Sequence, residues 1–276
     1  MDFTSLIKKY RKPAPVVAVL RLSGVIGQAG SLRKGLDMAS LAGPIERAFK
    51  MRNLRAVALA VNSPGGSPVQ SALIATRIRA LAGEKEIPVF AFAEDVAASG
   101  GYWLACAADE IFADENSIIG SIGVVSGGFG VPELMKRFGV ERRLRTAGDR
   151  KAMLDPFSRE KAEDGEHLQG ILAELHENFK EMVRTRRAGK LKMKIEDPFS
   201  GAFWTGNKAL KMGLIDGIGD LRGVMRERFG EKVKLRVVSA EKGGWLRRKL
   251  GLSATTWADE LLVAIEERMT WGRFGL

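Results

Sequence analysis

The sequence predicts an α/β protein whose mainly parallel sheet is covered by helices on both faces. Apolar, β-branched runs alternate with segments of helical periodicity along the first half of the chain. The runs are nearly continuous, as in parallel strands that are buried on both faces. Of the 276 residues, 45% are hydrophobic, which is enough for a sizeable core.

Strands and helices are expected to alternate from the first apolar run onward. The run at 15–22 carries Arg21 and is too short to cross a bilayer, so it is interpreted as a buried strand. In the same way, strands are expected at 55–62, 87–94 and 110–113, and helices at 41–51, 69–82 and 100–108.

The second half contains the longest predicted helix, which begins at Ser158 and runs to about residue 190. A strand, VERRLRTA, is expected before it at 140–147. A helix that closes on Gly213 follows, and then come a helix at 221–230 and a strand at 232–238. We expect three regions: a basic tail at 1–13, one domain at 14–240, and an amphipathic tail at 245–276.

The composition excludes several classes of protein. The single cysteine, Cys106, rules out an internal disulfide and fits a reducing compartment; within WLACAAD it is interpreted as a small buried side chain. No secretory signal peptide is evident, so a cytoplasmic protein is expected, with peripheral contact to the inner membrane through 245–276 left open. The net charge of +11 has no nucleic-acid-binding motif beside it, so a solvated basic surface is favoured and no nucleic-acid partner is expected.

Two glycine-rich turns follow predicted strands, and ligand sites form at the carboxyl edge of such sheets. One turn is VNSPGGSP. The other holds Ser99 between two alanines and two glycines. Small neighbours permit close packing of a helix on a sheet, and they also permit a substrate backbone to approach a nucleophilic hydroxyl. These residues alone leave both interpretations open.

A nucleophilic serine needs a base. Both histidines, His167 and His176, fall in the long predicted helix and are interpreted as surface residues. A lysine can serve instead when burial lowers its pKa. The candidate is Lys151, which lies in a turn beside three apolar residues.

Five segments together resemble the signal peptide peptidase A family, the S49 serine proteases, over about residues 14 to 225. They are VNSPGGSP, AASGGYWLACAADEIFA, GSIGVV, AGDRKAMLDPFS and WTGNKALKMGLIDGIGD. The resemblance implies a ClpP/crotonase-like fold of repeated ββα units, with the C-terminal helical tail outside it. It also implies peptide substrates, such as extended apolar remnants of signal peptides, and no cofactor or metal.

The resemblance also implies the roles of individual residues. It makes Ser99 the nucleophile and Lys151 the general base, with Ser121 orienting the lysine. The oxyanion hole resembles one built from the N–H groups of Gly100 and Gly66.

This chain resembles the short form of the family, without the N-terminal anchor or the duplicated domain of other members. In that form, serine and lysine belong to one subunit and several subunits form a ring, for example an octamer. Two rival functions stay open. One is a crotonase-like acyl-CoA enzyme, and the other is a catalytically silent scaffold that binds peptides or membrane.

Overall fold

A computed structural model describes residues 13–27, 35–192, 196–238, 268 and 270–275. The basic tail predicted at 1–13 and the amphipathic tail predicted at 245–276 therefore lie almost wholly outside the described residues.

The described residues form eight strands, most of which follow the predicted apolar runs. Their bounds are β1 Val16–Ser23, β2 Leu54–Ser63, β3 Val89–Ala98, β4 Glu110–Ala113, β5 Ile118–Gly120, β6 Phe203–Thr205, β7 Gly217–Ile218 and β8 Lys234–Val238.

The strands pair in the order β6-β5-β3-β2-β1-β8, and β4 pairs with both β3 and β7. All pairs are parallel except β5 with β6. One edge of strand β3 pairs with β2, and the other edge is shared by two strands: residues 90–93 pair with β4, and residues 96–98 pair with β5. The sheet therefore divides along β3, and the second half of this strand leads directly to Ser99.

Seven helices with defined bounds accompany the strands, and the described residues 270–272 are helical as well. The seven are α1 Met38–Phe49, α2 Pro68–Lys85, α3 Gly100–Ala105, α4 Pro132–Arg137, α5 Ala162–Arg186, α6 Gly206–Met212 and α7 Leu221–Phe229. Asp37 and Ser67 accept backbone N–H groups at the starts of α1 and α2, as N-cap side chains do. Gly213 ends α6 in the left-handed conformation, which confirms the predicted glycine cap.

Apolar side chains on the two faces of the sheet form two buried clusters. Alternate residues of β1 point to opposite faces, so Leu20 joins the larger cluster and Val19 joins the smaller one. The larger cluster lies under α1, α2 and α3, and the smaller one packs against Met225 of α7. The predicted mainly parallel sheet covered by helices on both faces is confirmed.

The main departure from prediction lies between β5 and the end of α5. The strand predicted at 140–147 is absent, because this charged segment has no partner strand to pair with. The long helix begins at Ala162 instead of Ser158, and Lys161 occupies the position before its first turn. No residue from Gly123 to Asn178 is buried. Across the described ranges, none of the helices combines the length and apolar character needed to cross a bilayer.

Candidate active site

The candidate site lies where the carboxyl ends of neighbouring parallel strands meet. The turn between β2 and α2 is joined to the segment after β1 by two backbone hydrogen bonds. Ile26 N donates to Gly65 O at 2.8 Å, and Ser67 N donates to Ile26 O at 2.8 Å. These bonds fix the Pro64-Gly65-Gly66 turn beside the end of β3.

Ser99 occupies the junction between β3 and α3 with an unusual backbone conformation. Its φ is 52° and its ψ is −124°, a region that serine seldom adopts and that costs about 1–3 kcal/mol. Its N–H donates to Gly120 O at 2.8 Å, and its carbonyl accepts from Trp103 N. Ser99 is half-buried, and a sharp strand-to-helix turn of this kind is one that can expose a hydroxyl to a ligand.

Glycine is required around Ser99 by close contact. A Cβ on Gly65 would lie 2.7 Å from the Ser99 Cβ, and one on Gly101 would lie 2.3 Å from Ser63 O. A Cβ on Gly100 would lie 2.5 Å from the Ser71 hydroxyl. The small residues therefore serve close packing, one of the two interpretations left open by the sequence, and this packing holds the Ser99 turn against the β2–α2 turn.

Two N–H donors lie together beside Ser99. A Cβ built on Gly100 would lie 3.4 Å from Gly66 N, which places the two glycine backbones side by side. Within the described residues, neither the Gly66 N–H nor the Gly100 N–H donates a hydrogen bond. Two unused donors next to a hydroxyl can stabilise an oxyanion.

Ser121 lies at the end of β5, next to the strand that ends at Ser99. It is 6% exposed, its φ is 50°, and its N–H donates to Ala202 O at 2.7 Å. His176 of α5 approaches the next residue, with 3.1 Å between its Nε2 and Ile122 O. His176 is thus half-buried, whereas His167 is exposed as predicted. The structure brings Ser121 and Ser99 to the same edge of the sheet.

Lys151 lies in an exposed turn of the unburied stretch, where its N–H donates to Gly148 O at 3.2 Å. No hydrogen bond or ion pair joins its side chain to another described residue. The structure thus places Ser99, Gly100, Gly66 and Ser121 at one edge of the sheet, and the role of Lys151 beside them stays a prediction.

No local sequence pattern indicates the hydrogen bonds that the side chains of Tyr102, Arg186 and Arg187 donate at helix α3 and in the segments packed against it. Arg186 donates to Cys106 O at 2.8 Å and to Ala108 O at 2.7 Å, at the C-terminal end of the helix that begins after Ser99. Tyr102, three residues after Ser99, donates to Leu214 O at 2.7 Å.

Arg187 is the third of these hydrogen-bonding side chains, and its position corrects one interpretation. Basic residues were expected on a solvated surface, yet Arg187 is 1% exposed. Its guanidinium donates to Gly213 O and, at 2.6 Å, to the Asp216 carboxylate. Burial tends to raise the pKa of Asp216, but the bonds from Arg187 and Lys190 outweigh burial and lower it.

Cys106 has the inert character expected of it. It is 1% exposed, and burial raises the pKa of its thiol to about 12. A thiolate nucleophile therefore does not form here near neutral pH. Within the ranges described, no cluster of three or more His, Cys, Asp or Glu residues is placed to hold a metal ion.

Comparisons with known proteins agree with this geometry. Residues 82–235, more than half of the chain, match the profile of peptidase family S49. A protein of Brucella abortus named Na(+)/H(+) antiporter NhaA is 50% identical over 98% of this chain. The serine protease SPPA, chloroplastic, of Arabidopsis thaliana is 30% identical over 74% of it. The chain spans only 38% and 31%, respectively, of the lengths of these two relatives.

One similar solved structure is a lysine-to-alanine variant of the 1510-N membrane-bound stomatin-specific protease, in complex with a substrate peptide. It is 16% identical, covers 92% of this chain and 99% of its own, and superposes with a TM-score of 0.50. This likeness concerns the fold, and it confirms the expected ClpP/crotonase-like architecture.

Proposed function

Because the chain belongs to peptidase family S49, we propose that it is a serine endopeptidase in which Ser99 and Lys151 form a catalytic dyad. The observation that carries the proposal is the Ser99 turn. A hydroxyl on a strained backbone lies beside two N–H groups, of Gly66 and Gly100, that have no other described acceptor.

The proposed reaction has two halves. In the first, the Ser99 oxygen attacks the peptide carbonyl carbon while its proton passes to the Lys151 side-chain nitrogen. The N–H groups of Gly66 and Gly100 donate to the oxyanion that forms, and Lys151 then gives the proton to the departing amine. In the second half, water attacks the acyl-enzyme, Lys151 takes its proton, and Ser99 leaves with that proton restored. Ser121 orients the lysine in this scheme.

We propose extended apolar peptides, such as remnants of cleaved signal peptides, as substrates. The solved structure of similar fold contains a substrate peptide, which supports peptides as the class of substrate. A cytoplasmic location stays a prediction.

The antiporter name belongs to a Brucella protein of which this chain spans 38%. We therefore do not assign antiport to this chain, whose family match and Ser99 site support peptide hydrolysis. An acyl-CoA enzyme of the same fold would use the oxyanion donors but would not need the Ser99 hydroxyl. A silent scaffold would use neither.

Labelling with an aryl phosphonate tests this proposal. The reagent should form a covalent adduct on the intact protein, peptide mapping should place the adduct on Ser99, and the labelled protein should lose hydrolysis of a fluorogenic apolar peptide. Ser99→Ala should remain folded and take no label. Labelling elsewhere, or hydrolysis that survives in Ser99→Ala, would exclude the serine mechanism. Hydrolysis of acyl-CoA thioesters without peptide hydrolysis would support the rival enzyme.

We also propose that several copies of the chain associate. The resemblance to the short form of the family implies such an assembly, for example an octamer. What supports this in the structure is the exposure of Lys151, whose side chain forms no hydrogen bond or ion pair with a described residue of its own subunit.

A further inference from the structure

Residues 106–109, which follow helix α3 and are here called the clamped loop, accept an unusual set of hydrogen bonds. Their four consecutive carbonyl oxygens each accept from a cationic side chain. Arg186 donates to the first and third, at 2.8 and 2.7 Å, Arg79 donates to the second at 3.2 Å, and Lys190 donates to the fourth at 3.3 Å. The first three of these loop residues are buried, so their carbonyls need partners within the protein.

The clamped loop lies at one end of helix α3, and the candidate site lies at the other end. The helix has only six residues, which span about 9 Å, and it begins at Gly100, directly after Ser99. Five of its six residues are buried. A short helix in a closely packed interior moves as one body, so a displacement of the clamped loop also displaces the Gly100 N–H.

The second proposed oxyanion donor is tied to the same loop. Gly66 lies just before helix α2, and Arg79 belongs to that helix. Besides its bond to the loop carbonyl, Arg79 donates to the Asp109 carboxylate at 2.8 Å. The other oxygen of this carboxylate accepts the N–H of Val89, the first residue of β3, at 2.9 Å. The three elements that meet at the candidate site, α2, α3 and β3, are therefore joined a second time at the clamped loop.

Arg186 reaches the clamped loop from helix α5, whose C-terminal half packs against α3. The ring of Phe179 packs on the ring of Trp103 in α3, with 4.8 Å between the centroids, and Val183 is fully buried. Phe179, Val183 and Arg186 follow one another at helical spacing, so they lie on one stripe of the helix. Burial, and then the charge of Arg79, lower the pKa of the Arg186 guanidinium, so the two arginines are held together against their repulsion.

We propose that Arg186 and Arg79 are positioning residues for the oxyanion hole, a role that rests on the proposed function. By holding the end of α3 and tying it to α2, they set the distance between the N–H groups of Gly100 and Gly66. The oxyanion forms only as the reaction proceeds, so misplaced donors should slow the chemical step and leave substrate binding almost unchanged. Loss of either arginine should therefore lower kcat and leave KM near the parental value.

Arg186→Met tests this role, because methionine keeps an apolar stem and removes every donor. At one protein concentration, its kcat on a fluorogenic apolar peptide should fall about tenfold to about 10²-fold, as expected for a displacement of up to about 1 Å. KM should stay within about twofold, since the ground state does not contain the oxyanion. Phosphonate labelling of Ser99 should slow by a factor similar to that for kcat. Arg186→Lys keeps the charge but has one nitrogen for two carbonyls, so it should regain part of the lost rate.

Arg79→Met provides a second test, which also decides the matter if Arg186→Met does not fold. It should show the same fall in kcat at constant KM, because it releases α2 from the clamped loop. In a folded double variant, the loss of kcat should be smaller than the product of the two single losses, since both side chains hold one loop.

Two controls separate positioning from stability. Arg228 also donates two hydrogen bonds, to the Glu110 carboxylate at 3.0 and 2.6 Å, but it lies on the other face of the sheet, beside Phe90. Arg228→Met should lose unfolding free energy in urea, as Arg186→Met does, and should keep the parental kcat. Arg184→Met removes an exposed arginine of the same helix and should keep the parental kcat as well.

The outcomes separate the positioning role from the chemistry. A folded Arg186→Met protein with parental kcat and labelling rate, or with a loss confined to KM, would overturn the positioning role while the serine mechanism stands. Equal losses of kcat in Arg186→Met and Arg228→Met would overturn it too, because stability alone would then set the rate. If the parent hydrolyses no peptide but labels at Ser99, and Arg186→Met slows that labelling, the positioning role stands and peptide hydrolysis fails. A parent that takes no label at Ser99 would overturn both.

Discussion

Replacing Gly65 by alanine should disable the candidate site while leaving most of the fold intact. Gly65 has a φ of +108°, and its added Cβ would lie 2.7 Å from the Ser99 Cβ and 2.9 Å from Gly100 N. Both neighbours are close to the backbone of one tight turn, so no side-chain rotation relieves the overlap. The Ser99 turn must move away from the β2–α2 turn.

The size of the effect follows from these distances. Carbon atoms in contact prefer about 3.5–4.0 Å, so Ser99 must shift by close to an ångström. A displacement of about 1 Å can cost about 10²-fold in rate, since nucleophile and oxyanion donors no longer meet the substrate together. Alanine at this φ also costs about 1–3 kcal/mol of unfolding free energy. The expected loss of rate corresponds to about 2.7 kcal/mol, so the loss of reactivity and the loss of stability should be of similar size.

The assay compares the second-order rate of phosphonate labelling with the free energy of unfolding in urea. Gly83→Ala is the matched control, because its Cβ meets nothing within 4 Å on an exposed turn of α2. It should label at the parental rate and gain up to about 1 kcal/mol, since alanine favours helix over glycine. A folded Gly65→Ala protein that labels as fast as the parent would refute the reasoning.

Three further predictions concern the buried thiol, the proposed base and the ion pair between Arg187 and Asp216. Cys106→Ala should keep peptide hydrolysis near the parental rate, measured as kcat/KM, because the thiol is buried and protonated. Lys151→Arg should lose hydrolysis, since a guanidinium cannot give up its proton, whereas Lys161→Arg should keep it; equal activity of the two variants would exclude Lys151 as the base. Asp216→Asn should lose about 3 kcal/mol of unfolding free energy, because Arg187 then keeps a buried charge without its carboxylate. The pKa of Asp216 is lowered in the folded protein, so the stabilisation that its carboxylate provides is complete above about pH 4 and fades as the pH falls further. Urea unfolding across this range should show that loss of unfolding free energy in the parent and not in the variant.

The part of the site that could be predicted from sequence is the part built by neighbouring parallel strands. A nearly continuous apolar run predicts a buried parallel strand, and such strands end at a common edge. Ser99 follows β3 and the glycine turn follows β2, so their meeting follows from adjacency in the sheet. The particular need for glycine at 65 could not be predicted, because it arises from a contact with Ser99 across 34 positions.

The burial of Arg187 could not be predicted for a different reason. Arg187 lies in a basic segment, and basic residues are rarely buried unless they are paired. Its partners, Gly213 and Asp216, lie more than 20 residues further along the chain, and no local pattern joins them to it. Burial of an arginine depends on finding acceptors in three dimensions, which periodicity does not reveal.

The role of Lys151 as the general base could not be predicted from its neighbours in the sequence, because only the resemblance to a family assigned that role. The elements that hold Ser99 are secured by buried apolar packing and by backbone bonds such as the one from Ser99 N to Gly120 O. No such packing surrounds Lys151, which lies in a stretch without a buried residue. Buried packing and backbone hydrogen bonds therefore hold Ser99 in place, whereas no buried packing holds Lys151. We expect the proposed association between copies to order the segment that holds Lys151. High salt weakens contacts between charged surfaces, so it should lower hydrolysis at a given protein concentration while leaving the unfolding free energy of the core nearly unchanged. A salt dependence that is equal for hydrolysis and for unfolding would mean that one set of contacts orders both halves.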